Sequence, residues 1–365
     1  MTGIYIHIPF CKSKCPYCDF YSFKADEQTK DSYLTAVLSC LDGYSEKISD
    51  SVDTVYFGGG TPSCFGGERI KRVIEHIRDK YNVTDTAEIT VECNPSSVDE
   101  ELVRHLSDVG VNRISMGMQS AVDRERLALG RLSDKKKIET SVELFKRYGI
   151  ENISLDLMLG IPHQTKESLK ESIGFIASFG IKHVSAYMLK VEEGTVFHKI
   201  EKSLSLPDED EVCDLYLYAC KLLGKLGYSH YEISNFAFEG YESRHNMRYW
   251  LCEEYLGAGP SAHSFLGGKR FYFERNFDKF ISSPSPVYDG EGGDEEEYIM
   301  LRLRLRKGLD GDDYEKKFGK KIDGEIFMKA RVLEKAGLVE TDNDCIRLTE
   351  KGFLVSNSVI TYLLD

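Results

Sequence analysis

Hydrophobic and polar positions alternate along the chain in two rhythms. Short β-branched or apolar runs fall at residues 3–8, 53–57, 88–91, 113–118, 153–159 and 183–189. Between them lie stretches with helical spacing, at 31–41, 69–80, 100–109, 135–148 and 166–179. In the last of these Leu169, Ile173, Ile176 and Phe179 recur every three or four residues, as one face of a helix does. Strands separated by helices imply βαβ units and a parallel sheet. Six repeats are too few to close an eight-stranded barrel, so an open doubly wound sheet and a partial barrel both satisfy the pattern.

The rhythm breaks after about residue 195. Residues 208–226 read as one long helix, and 228–290, rich in Tyr, Phe, Gly, Ser and Asn, as loops with short strands. An acidic run at 291–297 reads as a boundary or a helix start. Residues 298–306 (YIMLRLRLR) are ambiguous: the Leu/Arg alternation suits a strand, whereas the flanks favour a helix. Arg302, Arg304 and Arg306 are read as a solvated or salt-bridged face. From 323 the pattern is helix (324–336), hairpin (338–340 and 346–348 around Asp342-Asn343-Asp344) and helix, in the manner of a winged helix. The division expected is a core domain over 1–205 and a smaller α+β domain over 206–365, with no internal repeat beyond the βα rhythm.

Composition narrows the classes. A chain of 365 residues that is 41% hydrophobic and 29% charged buries a sizeable core, in one large or two ordinary domains. With 47 Lys+Arg against 60 Asp+Glu the net charge is −13. That balance lacks the footprint of a non-specific nucleic-acid binder and suits an anionic membrane poorly. No apolar run approaches the ~18 residues of a spanning helix, and the first residues have no cationic segment of the secretory kind. A cytoplasmic chain is therefore expected. Ten cysteines are too many to ignore, and a disulfide framework belongs to small secreted chains. Three of them fall within eight residues, which points to metal or redox chemistry.

That cluster, Cys11-Lys-Ser-Lys-Cys15-Pro-Tyr-Cys18, directly follows the first strand. Cys15-Pro16-Tyr17-Cys18 taken alone is a dithiol motif, with Cys11 incidental. All three together, C-x3-C-x2-C in one loop, suit an iron–sulfur cluster, which takes thiolate ligands, four for a cubane. Asp19-Phe20-Tyr21 follow, so no fourth local cysteine exists and one iron would be left open. Zinc is the rival, but nothing at a usual spacing completes a tetrahedral set. Downstream, Phe57-Gly-Gly59-Gly60-Thr61-Pro62 is a loop whose glycines let backbone N–H groups approach a ligand, or simply a tight turn. Glu92 closes the third strand, as cap or as ligand. Gln119 ends the fourth, Arg131 could hold a carboxylate in bidentate fashion, and Asp156 is a charge in an apolar strand that needs a partner. The cysteine loop, the glycine loop, Glu92 and Gln119 all fall at C-terminal strand ends, the face that carries the active site in α/β barrels.

The triplet, with an aromatic residue before its third cysteine, resembles the radical S-adenosylmethionine (SAM) superfamily. The wider string Tyr5-Ile-His7-Ile-Pro9-Phe10-Cys11 resembles its branch of coproporphyrinogen III dehydrogenases (HemN) and heme chaperones (HemW). The resemblance implies a partial (β/α)6 barrel and a [4Fe-4S] cluster on Cys11, Cys15 and Cys18. Its open iron would chelate the amino and carboxylate groups of SAM. The implied SAM contacts are the backbone at Gly59, Gly60 and Thr61, Glu92, Gln119 and Asp156 toward ribose, Arg131 toward carboxylate, and Tyr5 and Tyr17 nearby.

The only tryptophan lies in His245-Asn246-Met247-Arg248-Tyr249-Trp250. Read alone these are surface or core residues. The string resembles a heme-associated signature (HNxxYW) of the chaperone branch, which makes His245, Asn246, Tyr249 and Trp250 the expected heme residues, with His263 a second candidate ligand. Enzymes of the branch carry a cysteine two residues past the third, where Phe20 stands here. The resemblance thus favours a heme carrier over an oxidative decarboxylase of porphyrinogen. Its implied partners are heme and acceptor hemoproteins, respiratory membrane proteins or heme-storage proteins. The implied chain is cytoplasmic or peripherally membrane-bound, with homodimerisation and use of SAM as regulation.

Overall fold

Strands β1 (Thr2–Ile8), β2 (Val52–Gly59), β3 (Val83–Cys93), β4 (Arg113–Gln119), β5 (Asn152–Leu159) and β6 (His183–Met188) lie side by side in chain order. Each is parallel to its neighbour. The structure is a computed structural model that describes residues 1–131 and 133–365. Helices Glu27–Ser45, Gly67–Lys80, Glu100–Asp108, Lys135–Arg147 and Lys166–Ser178 make the crossovers, close to the predicted segments. Four of the five start at a side chain that accepts the N–H of the third helical residue: Asp26 from Thr29, Asp99 from Leu102, Asp134 from Lys137 and Thr165 from Ser168. Such a cap satisfies a donor that the helix leaves open.

The strands are two-faced. On β1 Ile4, Ile6 and Ile8 join the hydrophobic core under the helices, as do Val55 and Phe57 of β2, Ile89 and Val91 of β3, and Ile153, Leu155 and Leu157 of β5. Side chains alternate with period 2, so the residues between them face the concave side. Those are polar: Tyr5, His7, Thr54, Tyr56, Glu88, Glu92, Arg113, Ser115, Ser154 and Asp156.

The sheet does not stop at residue 205. β7 (Ser229–Glu232) and β8 (Asn235–Ala237) extend it antiparallel beyond β6. β9 (Tyr255–Ala258) pairs parallel with β1 on the other flank, followed by β10 (His263–Leu266), β11 (Lys269–Tyr272) and β12 (Val287–Glu291). The result is an open twelve-stranded sheet, and the boundary expected at 205/206 does not divide it, because chain from beyond that point hydrogen-bonds to both flanks of the first six strands. A separate sheet of β13 (Leu309–Asp310), β14 (Val339–Asp342) and β15 (Cys345–Leu348) carries helices Gly311–Phe318, Gly324–Lys335, Glu350–Leu354 and Ser356–Leu364, the winged-helix-like end. The ambiguous 298–306 stretch is helix Glu295–Arg302 and a turn. Arg302 is not solvated: its side chain is 4% exposed, sits over the Tyr298 ring and pairs with Asp313 at 2.6 Å.

One short helix, Arg244–Trp250, seals the N-terminal end of the concave side. Glu88 accepts the backbone N–H groups of Arg244 (3.0 Å) and His245 (3.1 Å). Arg248 donates to Thr54 Oγ1 (3.1 Å) and to the Met1 carbonyl (3.0 Å), and pairs with buried Asp53. Gly3 is required here, since a Cβ would stand 2.7 Å from Arg248 Cδ. Removing Arg248 takes away the buried one of the two guanidinium partners of Asp53, since Arg244 stays 3.2 Å from its other carboxylate oxygen. Arg248→Ala is therefore expected to lower stability by about 2–3 kcal/mol, read as a lower urea midpoint at unchanged slope. Arg248→Lys should recover only part, because an ammonium cannot reproduce the fork. An alanine variant that unfolds at the parental midpoint would show that the pair does not anchor the helix.

Candidate cofactor site

The loop after β1 carries the three cysteines and is tied at its base. Cys11 N–H donates to Phe23 O and Phe23 N–H to Pro9 O, both at 3.0 Å, and Cys18 N–H donates to Cys15 O at 3.1 Å. None of the three is in a disulfide, and all are half-buried. The glycine loop after β2 is zipped onto this loop: Gly60 N–H donates to Ile8 O and Thr61 N–H to Phe10 O, both at 2.8 Å. Thr61 Oγ1 also lies 3.2 Å from Cys11 Sγ. Gly59 has φ +106°, and a Cβ there would come within 2.6 Å of the His7 ring; at Gly60 it would meet two carbonyl oxygens at 2.9 Å. Only glycine lets the loop pack this closely on the segment that leads into the cysteines.

One cavity of about 130 Å³ brings together Cys11, Cys15, Tyr17, Cys18, Gly59, Gly60, Thr61, Glu92, Gln119, Arg131 and Asp156. Every predicted cluster and SAM residue except Tyr5 lies on it. Tyr5 stands beneath, its hydroxyl 3.1 Å from His7 Nδ1, on an adjoining cleft that also reaches Glu92. Glu92 accepts a hydrogen bond from Tyr56 OH (2.8 Å), yet burial, helped by the nearby Asp156, pushes its carboxyl up to about 7. Burial also raises the Asp156 carboxyl, against a hydrogen bond from Ser115 (3.1 Å). Arg131 sits over the Tyr17 ring, and among the described residues its guanidinium has no carboxylate partner and its Nε no hydrogen bond. Gln119 is held in the left-handed region (φ +69°) just past an irregularity in the β4–β5 register. Tyr187 OH donates to its Oε1 (2.8 Å). Such strain is kept where a site demands it.

The sequence reading missed Ser115, Gly117 and Tyr187 on the same cavity. A Cβ on Gly117 would lie 3.0 Å from both Gln119 Nε2 and Arg131 Nη2, so glycine lets the two approach. Ser115 and Gly117 precede Gln119 by four and two residues, and strand parity would have found them.

The heme-associated string is placed differently. His245 is fully buried with both ring nitrogens engaged: Nδ1 lies 2.9 Å from Thr54 Oγ1 and Nε2 2.9 Å from Tyr249 OH. Burial lowers its imidazole to about 3, so the ring is neutral. It stacks on Tyr56, whose hydroxyl holds Glu92. Trp250 has Arg304 over its ring and a buried indole N–H without a partner among the described residues. Asn246 of the string lines a cleft of about 480 Å³ beside the first that also contains Arg113. His263 is exposed and stacked on Tyr272, at the cleft of about 340 Å³ that holds Tyr5.

The donor set fits an iron–sulfur cluster. Three soft thiols meet on one cavity with no histidine among its lining residues to complete a zinc tetrahedron. Cys93 also reaches the wall, but it is buried and burial holds it as a thiol. The unpaired Arg131, the two raised carboxyls and the glycine cradle supply the contacts that a zwitterionic, cationic cofactor needs.

Comparison with known proteins agrees. The radical SAM superfamily model matches residues 5–176, and that of the HemN C-terminal domain matches 295–355. The chain is 34% identical to the heme chaperone HemW of Bacillus subtilis, over 98% of both chains. It is 34% identical to that of Lactococcus lactis, over 100% of this chain and 98% of the other. The Mycobacterium tuberculosis HemW is 31% identical over 99% of this chain and 94% of its own. The solved structure of coproporphyrinogen III oxidase (HemN) from Escherichia coli superposes with a TM-score of 0.85, covering 99% of this chain and 89% of that one at 22% identity. That likeness establishes the shared fold, a partial (β/α)6 radical SAM barrel with a smaller C-terminal α+β unit. Superfamily membership implies SAM and a [4Fe-4S] cluster, the groups the cavity fits. The chain belongs to the HemW family of heme chaperones within the radical SAM superfamily.

Proposed function

We propose that this protein binds heme and passes it to acceptor hemoproteins, with a SAM-binding [4Fe-4S] cluster that regulates the hand-over. The observation that carries the choice is Phe20. It stands where the decarboxylase branch has a cysteine, is 68% exposed, and forms the lip shared by the three adjoining clefts. An exposed phenyl ring there offers a flat apolar ligand a surface to pack on.

In this reading Cys11, Cys15 and Cys18 hold the cluster. A bound, reduced cluster supplies an open iron and an electron. The backbone from Gly59 to Thr61 receives the SAM amino group, Arg131 its carboxylate, and Gln119 and Asp156 its ribose, with Glu92, Tyr5 and Tyr17 completing the pocket. For heme, the exposed imidazole of His263 is better placed as an axial ligand than His245, which would have to break two hydrogen bonds. His245, Tyr249 and Trp250 hold the sealing helix, and Asn246 borders the cleft. Acceptors are hemoproteins of the respiratory membrane or heme-storage proteins, met in the cytoplasm or peripherally at the membrane by a homodimer. No helix among the described residues is long and apolar enough to cross a membrane.

Anaerobic reconstitution followed by two assays on one preparation tests the proposal. Heme should bind stoichiometrically, at least tenfold more weakly in His263→Ala, and coproporphyrinogen should not turn over. SAM-dependent protoporphyrinogen formation would sink the chaperone reading. Cys11→Ser, Cys15→Ser and Cys18→Ser should each abolish the brown absorbance of the cluster; a set of variants that retains it would remove the metal assignment.

Glu92 gives a pH dependence. Burial pushes its carboxyl up to about 7, and the positive charges of SAM would favour the ionised form. Affinity for SAM should therefore fall as pH drops from about 8 to about 6, by at most about tenfold per unit. Glu92→Gln should bind more weakly at pH 8 and show a flat profile. Equal affinity of the parent across that range would detach Glu92 from SAM.

A further inference from the structure

We propose that Cys220, His230 and Glu350 form a divalent-cation site, of the kind zinc occupies, that pins the C-terminal unit to the flank of the main sheet. One donor atom from each lies within 4.8 Å of the other two. Cys220 is on helix Glu209–Lys225, His230 on β7, and Glu350 opens helix Glu350–Leu354, so three separate elements meet here.

The histidine is prepared as a ligand. Its ring lies flat on Phe236 (4.2 Å between centroids, 14° between planes) and against Phe353 (5.1 Å). Nε2 is 3.4 Å from the carbonyl oxygen of Ile233, whereas Nδ1 is buried and has no hydrogen-bond partner. An unsatisfied buried polar atom requires an explanation. With the proton on Nε2 facing Ile233, the Nδ1 lone pair is free. Metal-bound histidines characteristically donate their second N–H to a carbonyl or carboxylate in this way. Burial also keeps the ring neutral, lowering it to about 4.

The other donors complete a borderline-soft set. Cys220 is buried; desolvation, and then the charge of Glu350, push its thiol up to about 12, so a bare thiolate is unfavourable beside that carboxylate. A cation between them removes the repulsion, and coordination deprotonates a thiol. Sulfur, imidazole nitrogen and carboxylate oxygen together suit Zn²⁺, with a fourth position left for water. The neighbouring cation, Arg306, is committed elsewhere: it donates to Leu348 O (2.8 Å) and faces Glu340 (3.8 Å).

The test uses the full-length chain with Cys11, Cys15 and Cys18 changed to serine, so that the iron–sulfur loop cannot take the probe. Cobalt(II) is titrated under anaerobic conditions. The expected result is one equivalent bound, with a thiolate-to-cobalt charge-transfer band and the visible bands of four-coordinate cobalt, displaced by zinc. Cys220→Ser should remove the charge-transfer band. Glu350→Gln, an exposed change that leaves the fold intact, should weaken binding at least tenfold. Zinc should raise the thermal midpoint of the parent by a few degrees and leave that of Cys220→Ser unmoved. Absence of a cobalt–thiolate band, its survival in Cys220→Ser, or unchanged affinity in Glu350→Gln would each overturn the proposal.

Discussion

A concave sheet face made of polar residues has to be satisfied from somewhere, and the rest of this molecule answers to that constraint. Glu88, Arg113, Ser154 and His183 are all buried. Burying such groups without partners costs several kcal/mol each. At the N-terminal end of the strands the partners are provided. Glu88 takes two backbone N–H groups from helix Arg244–Trp250. His183 is bracketed by Ser154 (2.7 Å) and Tyr231 (2.8 Å). At the C-terminal end they are not: among the described residues Arg131 Nε lacks a hydrogen bond and the Glu92 and Asp156 carboxyls are pushed toward neutrality, while Arg113, which opens β4, also leaves Nε and Nη1 unpaired where its side chain borders the cleft of those two carboxyls. The interior thus grades from satisfied to unsatisfied along the strands, and the unsatisfied end is where the cysteine and glycine loops converge.

This gradient gives the HNxxYW string a structural role that needs no heme. Its helix supplies the donors that Glu88 and Thr54 require, and the His245 ring stacks on Tyr56, whose hydroxyl orients Glu92. A residue on the sealing helix is therefore two contacts away from the cofactor cavity. A change at His245 reaches Glu92 through Tyr56, so lost function in such a variant does not by itself identify a ligand.

The six parallel strands and their helices were legible because each is a local pattern, period 2 or 3.6, bounded by capping residues. The short strands after residue 228 were not. β9 pairs with β1 across some 250 residues of chain, and nothing near Tyr255 signals that its partner is Gly3. The same limit explains the domain boundary, for a change of rhythm at 195 marks a change of local pattern and not an end of the sheet. Site residues at strand ends were readable from type and position together. Ser115, Gly117 and Tyr187 are ordinary residue types whose importance comes from facing Arg131 and Gln119. His245 shows the converse: a residue type suited to ligation whose two nitrogens are both engaged within the fold, by Thr54 and Tyr249.

The two loops that converge on the cavity are one hydrogen-bonded unit. Gly60 and Thr61 give their N–H groups to Ile8 and Phe10, the residues that lead into Cys11, and the Thr61 hydroxyl lies against the Cys11 sulfur. Backbone N–H groups committed to the cysteine loop fix the direction of the glycine loop, so the cradle inherits its shape from the segment that holds the thiols. The exposed ring of Phe20 stands on that same segment, two residues past Cys18. A ligand packed on Phe20 and one held in the cradle would bear on the same short stretch of backbone. Coupling between the two requires only that the loop have two arrangements and that each ligand prefer one.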